Sequence, residues 1–260
     1  MKTMTPILIF TLAYCAAPFS DAQGGLAELA QSGIKGSVVV VDLVKFKPDG
    51  LARYEIYDEI AEAKLRELGG SVIFRGDAVD ISITPSGEWD RVTFRKYPSI
   101  GAVLEMGSSK EYQGAFPNRL ASVAKSFVYA YSGELPAIGG APSPGFHPMK
   151  VVPAPDSADA VYMLNLLRFK IDGGQDAFFS KYAPASGRHL GAIGAGPVLM
   201  LKGLGAVIPQ EEVDRLILVK YPSAKVFVDM VTSEEYQKIL PLRGDSIELG
   251  LIWAFSMVTE

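Results

Sequence analysis

The chain repeats itself at a distance of 124 residues. Lys96-Tyr97-Pro98-Ser99 returns as Lys220-Tyr221-Pro222-Ser223, and Glu111-Tyr112-Gln113 returns as Glu235-Tyr236-Gln237. The same spacing relates Trp89-Asp90-Arg91 to Val213-Asp214-Arg215, and Pro117 with Arg119 to Pro241 with Arg243. A repeat of this length exceeds a solenoid unit, which spans roughly 20–50 residues. It predicts a whole domain duplicated in tandem, whose two copies can pair as a dimer built into one chain.

The composition is consistent with two folded copies. The chain has 260 residues, of which 48% are hydrophobic, enough for two domains of about 100 residues that each bury a core. The formal net charge is -4, and no basic stripe stands out along the sequence. Nucleic acid is therefore not expected as a partner.

The first 22 residues have the features of a secretory signal peptide. Lys2 provides a positive start, an apolar run covers residues 7–13, and Ser20-Asp21-Ala22 offers small residues for cleavage before Gln23. Cleavage after Ala17 is the alternative. The run is too short for a bilayer span of roughly 20 residues, so no membrane contact is expected once residues 1–22 are removed. The sequence predicts a periplasmic or secreted protein.

The only cysteine, Cys15, lies within this leader. The mature chain then has neither a disulfide nor a thiol nucleophile, and a metal site would need His, Asp or Glu ligands. No cluster with metal-ligand spacing stands out, so no metal and no cofactor are expected. His189 lies late in the first helix of the second copy. A lone histidine on a helix can be a haem ligand, but a structural or exposed histidine is the preferred interpretation.

Two copies and a linker account for the rest of the chain. The first copy covers residues 36–132 and the second covers residues 160–257. Residues 133–159 between them are rich in Pro, Gly and Ala, which is typical of an extended linker.

Each copy predicts the element order βαββαβ. Apolar β-branched runs predict strands at 38–46 and 161–169, followed by a helix over 51–68. The remaining predicted strands are 72–74 continued by 79–83, then 91–97 and 215–221, then 127–131 and 251–255. Ser99 and Ser223 are expected as helix N-caps. Capping boxes are expected at Ser108-x-x-Glu111 and Thr232-x-x-Glu235.

This order is that of the ferredoxin-like unit. The predicted fold class is α+β: two ferredoxin-like repeats that press the bare faces of their sheets together in an intramolecular dimeric α+β barrel. Closure also removes sheet edges that invite aggregation.

Several motifs resemble an uncharacterised family, domain of unknown function 1330. They include the strand Met163–Lys170, the two Tyr-Pro-Ser turns, the two Glu-Tyr-Gln segments and the arginines that follow them. The first copy departs from the pattern in its first strand. The resemblance covers nearly all of both copies and implies a dimeric α+β barrel with a cavity. It implies no established reaction.

Asp42 and Asn165 occupy matched positions in the first strands, each among apolar neighbours. A buried carboxylate is costly unless it is paired or protonated. Asp42 is therefore either an acid with a cationic partner or a group with a raised pKa, and in a cavity it is a candidate general base. A structural hydrogen bond is the alternative.

The third strands differ between the copies. One face carries Thr93 and Arg95 in the first copy but Ile217 and Val219 in the second, whereas the other face is apolar in both. Assigning the consistently apolar face to the helices places Thr93 and Arg95 inside the barrel. Arg95 would then bind a carboxylate or enolate oxygen. Alternatively, Arg95 neutralises Asp42 or reaches solvent at the rim.

The sequence therefore predicts a cavity between the repeats that binds a small organic molecule, with Asp42 and Arg95 as candidate catalytic residues. The candidate ligand-binding residues are Asn165, Arg168, Thr93, Tyr182, Arg119 and Arg243. A cofactor-independent monooxygenase, isomerase or lyase is the second hypothesis, and a structural or assembly protein with a filled barrel is the third. Further association into a homodimer stays open.

Overall fold

A computed structural model of the chain describes residues 33–132, 159–207 and 211–258, together with 25 and 28–31. The predicted leader, 1–22, and residues 133–158 of the predicted linker lie outside the described residues, as do Cys15 and His147. Within the described part, no helix is both long and apolar enough to cross a membrane.

Each repeat contributes four strands and a set of helices. The strands are β1 (Val38–Phe46), β2 (Ser71–Ala78), β3 (Arg91–Tyr97), β4 (Val123–Ser132), β5 (Val161–Phe169), β6 (Gly196–Ala206), β7 (Arg215–Tyr221) and β8 (Ile247–Met257). The helices from residue 38 onward are α1 (Leu51–Glu67), α2 (Ile100–Ser108), α3 (Lys110–Ser122), α4 (Gly174–Ala177), a π-helical turn (Phe178–Tyr182), α5 (Ala183–Ala192), α6 (Ala224–Thr232), α7 (Glu234–Gln237) and α8 (Leu240–Ser246).

The eight strands close into one antiparallel barrel in the order β1-β3-β2-β8-β5-β7-β6-β4. Two short seams join the repeats. Gly76 to Ala78 of β2 pairs with β8, and Tyr129 to Tyr131 of β4 pairs with β6. The predicted α+β fold of two ferredoxin-like repeats in one barrel is confirmed.

The barrel interior is packed with side chains from both repeats. One continuous apolar cluster includes Val41, Phe94, Leu164 and Leu218, all fully buried. The alternate residues of the same strands face the helices outside the barrel. In the first repeat they pack with helix residues such as Leu65, and in the second with residues such as Phe178.

The predicted assignment of sheet faces is therefore wrong. Ile217 and Val219 pack in the cluster under the helices of the second repeat, and Thr93 and Arg95 lie at the matching register in β3. The consistently apolar face is the interior one, because the closed barrel excludes water on that side. The face under the helices tolerates charges, because helices can supply ionic partners.

Local predictions are mostly confirmed. The predicted bounds of β1, β3, β5 and β7 match the structure. Ser99 and Ser223 accept backbone N–H bonds from Ala102 and Val226. The next caps lie one residue later than expected: Ser109 accepts from Tyr112 N, and Ser233 accepts from Tyr236 N.

The expected continuation of β2 over residues 79–83 is wrong, because the chain leaves the sheet at Ala78 and crosses to the second repeat. The Val79 N–H donates to the Ala254 carbonyl at 2.9 Å. Ile81 is only 5% exposed and packs in the apolar cluster beneath the second-repeat helices. The segment between β2 and β3 therefore forms part of the other repeat's wall.

Candidate functional site

The larger of two cavities described here lies in the second repeat, between the outer face of the sheet and the helices. Its volume is about 210 Å³. Most of its wall is apolar, with contributions from Leu167, Met200, Ile217, Val219 and Phe227. The position differs from the expected one inside the barrel. The cavity still draws on both repeats, because Ile83 and Thr84 of the first repeat line it.

Three predicted ligand-binding residues meet in this cavity: Asn165, Tyr182 and Arg243. Asn165 lies on β5, and its amide nitrogen donates to the Met163 carbonyl at 3.1 Å. Tyr182 ends the π-helical turn, and Arg243 lies in α8. Three distant segments therefore supply one polar set within an apolar cavity, an arrangement typical of small-molecule sites.

A pair of tyrosines adds to this polar set. The hydroxyls of Tyr182 and Tyr236 lie 2.6 Å apart, and both residues line the cavity beside Ser186. Burial raises the pKa of Tyr236 well above its ordinary value, and the neighbouring Tyr182 hydroxyl raises it further, against the opposing positive charge of Arg243. The Tyr236 phenol is therefore protonated at neutral pH and can act as a hydrogen-bond donor.

The first repeat has a matching but smaller cavity of about 80 Å³. Asp42, Arg95 and Arg119 line it. The Arg119 guanidinium forms a bidentate pair with the Asp42 carboxylate, at 2.6 and 2.9 Å. Arg95 lies 3.6 Å from Asp42 and bonds to Asp58. Ionic side chains thus take up the space that stays open in the second repeat.

The ion pairs keep the two buried arginines charged. Burial disfavours the charge on Arg95, but the carboxylates of Asp58 and Asp42 outweigh it and hold the pKa well above its ordinary value. The same balance, dominated by Asp42, raises the pKa of Arg119. Burial is also the main reason that the pKa of Tyr54 rises to about 12.

These contacts decide between the alternatives for Asp42. The residue is 4% exposed and is an acid with cationic partners, Arg119 and Arg95, on the outer face of the sheet. The predicted catalytic roles of Asp42 and Arg95 depended on a position inside the barrel. With both residues paired beneath the helices, those roles lose their structural support.

The other candidates lie apart from the larger cavity. Thr93 is fully buried, and Arg168 pairs with Glu211 at 2.6 Å and Glu248 at 3.4 Å. His189 contacts the Tyr236 ring edge-on, with centroids 5.5 Å apart, and is not among the lining residues. Among the described residues, no three His, Cys, Asp or Glu side chains could hold a metal ion together.

Sequence reasoning missed Tyr236, Ser186 and the Ile83–Thr84 segment. The repeated Glu-Tyr-Gln motif could have drawn attention to Tyr236, because both copies use its tyrosine in the same way: Tyr112 lies 3.2 Å from the Tyr57 hydroxyl. Nothing in the sequence indicates that residues 83 and 84 reach the other repeat.

No protein-family model and no curated protein matches the chain. Solved structures show the fold. An anthrone oxidase-like protein has a TM-score of 0.55 at 12% identity, over 87% of this chain and 93% of that one. A proposed monooxygenase of Fusobacterium nucleatum subsp. nucleatum has a TM-score of 0.52 at 9% identity, over 86% and 93%. A mutant chlorite dismutase of Candidatus Nitrospira defluvii has a TM-score of 0.52 at 10% identity, over 87% and 94%.

At these identities the likeness concerns the fold alone. The chain has the fold of the dimeric α+β barrel proteins, with both halves of the dimer in one polypeptide.

Proposed function

We propose that the second repeat binds a small, largely apolar organic molecule in the cavity beneath its helices. The observation that carries the proposal is the difference between matched sites. The first repeat has Asp58 next to Tyr57 and Arg95 in β3, whereas the second has Ala183 next to Tyr182 and Val219 in β7. Charged side chains occupy the first site, and their replacement leaves an apolar cavity in the second.

A cavity-filling substitution tests this proposal. Ala183→Leu introduces a larger side chain into the lining of the cavity, and Ala192→Leu makes the same change at an exposed position of α5. Native mass spectrometry of protein purified from its own compartment should show a retained small molecule in the wild type and in Ala192→Leu. Its presence at equal occupancy in Ala183→Leu would contradict the proposed position of the site.

A cofactor-independent enzyme is the second candidate, supported by the hydrogen-bonded tyrosine pair inside the cavity. The described lining contains neither a carboxylate nor a histidine, so it offers no ordinary base for proton abstraction. The protonated Tyr236 phenol is suited to donating a hydrogen bond to an oxyanion. Such an enzyme would act on a substrate that enters already ionised.

The name of the anthrone oxidase-like neighbour suggests a direct assay. At alkaline pH, where anthrone ionises to its enolate, oxygen uptake with anthrone should exceed the uncatalysed rate in the wild type and fall to that rate in Ala183→Leu. Equal uptake with and without protein would exclude anthrone as a substrate.

The third candidate, a purely structural protein, agrees with the filled barrel interior but leaves the outer cavity without a use.

We also propose that the protein is exported and belongs to domain of unknown function 1330. The signal-peptide pattern of residues 1–22 and the repeated motifs support these assignments. N-terminal sequencing of the protein from a periplasmic or culture-medium fraction should begin at Gln23. Sedimentation analysis of the same material tests whether the two-repeat unit forms a homodimer.

A further inference from the structure

Arg243 and Arg119 are matched residues in different surroundings. Each follows the matched proline near the end of the last helix in its repeat, and each lines the cavity beneath the helices. The Arg243 guanidinium lies against Gly250 of β8, where an added methyl group would be 3.0 Å from Nη2. The first repeat has Ser126 at the register of Gly250.

The partner of Arg119 is absent from the second repeat. Asp42 pairs in register with Thr93 and Val128, and Asn165 occupies the same place between Ile217 and Ile252. An amide thus replaces the carboxylate that neutralises Arg119. Among the described residues, no carboxylate lies within ion-pair distance of Arg243, and none forms a hydrogen bond with its guanidinium.

Arg243 is half-buried, so the apolar walls of the cavity restrict the water that hydrates its charge. A partly desolvated cation attracts an anion more strongly than one in water does. Arginine also presents a planar fork that matches two oxygens of a carboxylate. The first repeat shows this pairing in the same geometry, with both Asp42 oxygens bonded to Arg119.

We infer that the second-repeat cavity binds an organic anion, with its carboxylate or ionised enol or phenol oxygen paired to Arg243. This inference rests on the proposed function and names the chemical class of its ligand. The anionic oxygen pairs with Arg243 as the Asp42 carboxylate pairs with Arg119 in the first repeat. The apolar body of the ligand contacts residues such as Met200 and Ile217, and the tyrosine pair offers a further donor.

In the first repeat, the protein's own Asp42 carboxylate then fills the corresponding site. Asp42 supplies from the protein the negative charge that the second repeat takes from its ligand. A single change, Asn165→Asp, should therefore give the second site an internal ion pair like that of the first. It places a carboxylate at the matched position and competes with an external anion for Arg243.

Two probes that differ in charge test the inference: 2-naphthoate and its neutral isostere 2-naphthamide. The wild-type protein should bind naphthoate at least about tenfold more tightly than naphthamide, as expected for one charge-assisted contact. Arg243→Met and Asn165→Asp should each weaken naphthoate binding about tenfold or more and leave naphthamide binding within about twofold. Fluorescence titration measures each dissociation constant, and thermal unfolding checks that each variant is folded.

The outcomes separate this inference from the proposed function. If naphthamide binds as tightly as naphthoate, or if Arg243→Met weakens both equally, the anion inference is wrong and the cavity remains a binding site. If neither probe binds and native mass spectrometry detects no retained molecule, both proposals fail. Arg188→Met, on the exposed surface of α5, is the control that removes an arginine elsewhere and should change neither constant.

Discussion

Arg119 and Asp42 form a bidentate ion pair beneath the helices of the first repeat, with both side chains almost fully buried. The pair joins α3 to β1 across 77 positions of sequence. It is one of the features that distinguish the two halves of the molecule, because Asn165 and Arg243 make no equivalent bond.

Breaking this ion pair should lower the stability of the fold. Asp42→Asn leaves the Arg119 charge buried without its main partner, and we expect the free energy of unfolding to fall by about 3–5 kcal/mol. The double variant Asp42→Asn with Arg119→Met should recover part of that loss, because it removes both charges. Urea unfolding measures the change.

An exposed ion pair provides the matched control. Lys225 and Asp229 are 81% and 60% exposed, so Asp229→Asn should change the free energy of unfolding by less than about 1 kcal/mol. An equal effect of Asp42→Asn and Asp229→Asn would show that the buried pair does not stabilise the fold.

The buried tyrosines should make the protein sensitive to alkali. Burial is the main cause of raised pKa values at Tyr57, Tyr97, Tyr221 and Tyr236. A pKa raised on folding favours the neutral phenol, so this contribution is complete below pH 10 and is lost as the pH rises above that value. The free energy of unfolding should therefore decline above about pH 10.

Absorbance at 295 nm distinguishes these tyrosines from exposed ones. In the native protein a group of tyrosines should ionise only as the fold is lost, whereas all should titrate together near pH 10 in urea. Tyr97→Phe should reduce the alkaline decline in stability. Uniform ionisation near pH 10 in the native protein would show that these tyrosines are not shielded from water.

The segment that crosses between the repeats should contribute to stability. Ile81 is 5% exposed and packs among side chains of the second repeat. Ile81→Ala should therefore lower the free energy of unfolding by about 2–4 kcal/mol. Ile171, which is 95% exposed, provides the same substitution at a surface position. If Ile81→Ala unfolds at the same urea concentration as Ile171→Ala, the crossing segment does not hold the repeats together.

Gly50 should be intolerant of a side chain for a steric reason. An added methyl group would lie 2.3 Å from the Ser122 carbonyl oxygen, an atom that accepts a bond from Lys47 N. Gly50→Ala should therefore lower the free energy of unfolding. Gly114 in α3 has open space around it, so Gly114→Ala should raise that energy by about 0.5–1 kcal/mol. Urea unfolding followed by circular dichroism compares the two variants. The changes in the free energy of unfolding must have opposite signs.

Much of the fold was predictable from local patterns. Four strand bounds and the caps at Ser99 and Ser223 follow from signals that lie within a few residues of one another. The two later caps at Ser109 and Ser233 were displaced by one residue, because two adjacent hydroxyl residues can each fill the position. Residues 79–83 look like a strand because apolar and polar residues alternate, but the apolar ones pack against the other repeat.

The candidate site was only partly predictable. Asn165, Tyr182 and Arg243 converge in the larger cavity, whereas Asp42 and Arg95 belong to the ion-paired copy. The difference between the copies was visible in the sequence as the substitution of Asp42 by Asn165. Its meaning depended on what surrounds each residue in space.

Repeated motifs and short-range periodicity were enough to predict the duplication, the order of elements and the closure of two repeats into one barrel. Which face of each strand lies inside depends on packing between distant segments and became clear only in three dimensions. Residues Val38–Val44 of β1 are buried on both faces, so alternation marks two faces without saying which one the barrel encloses. The position of the cavity could not be predicted from the sequence either. Its walls come from helices and strands far apart in the chain and from a segment of the opposite repeat.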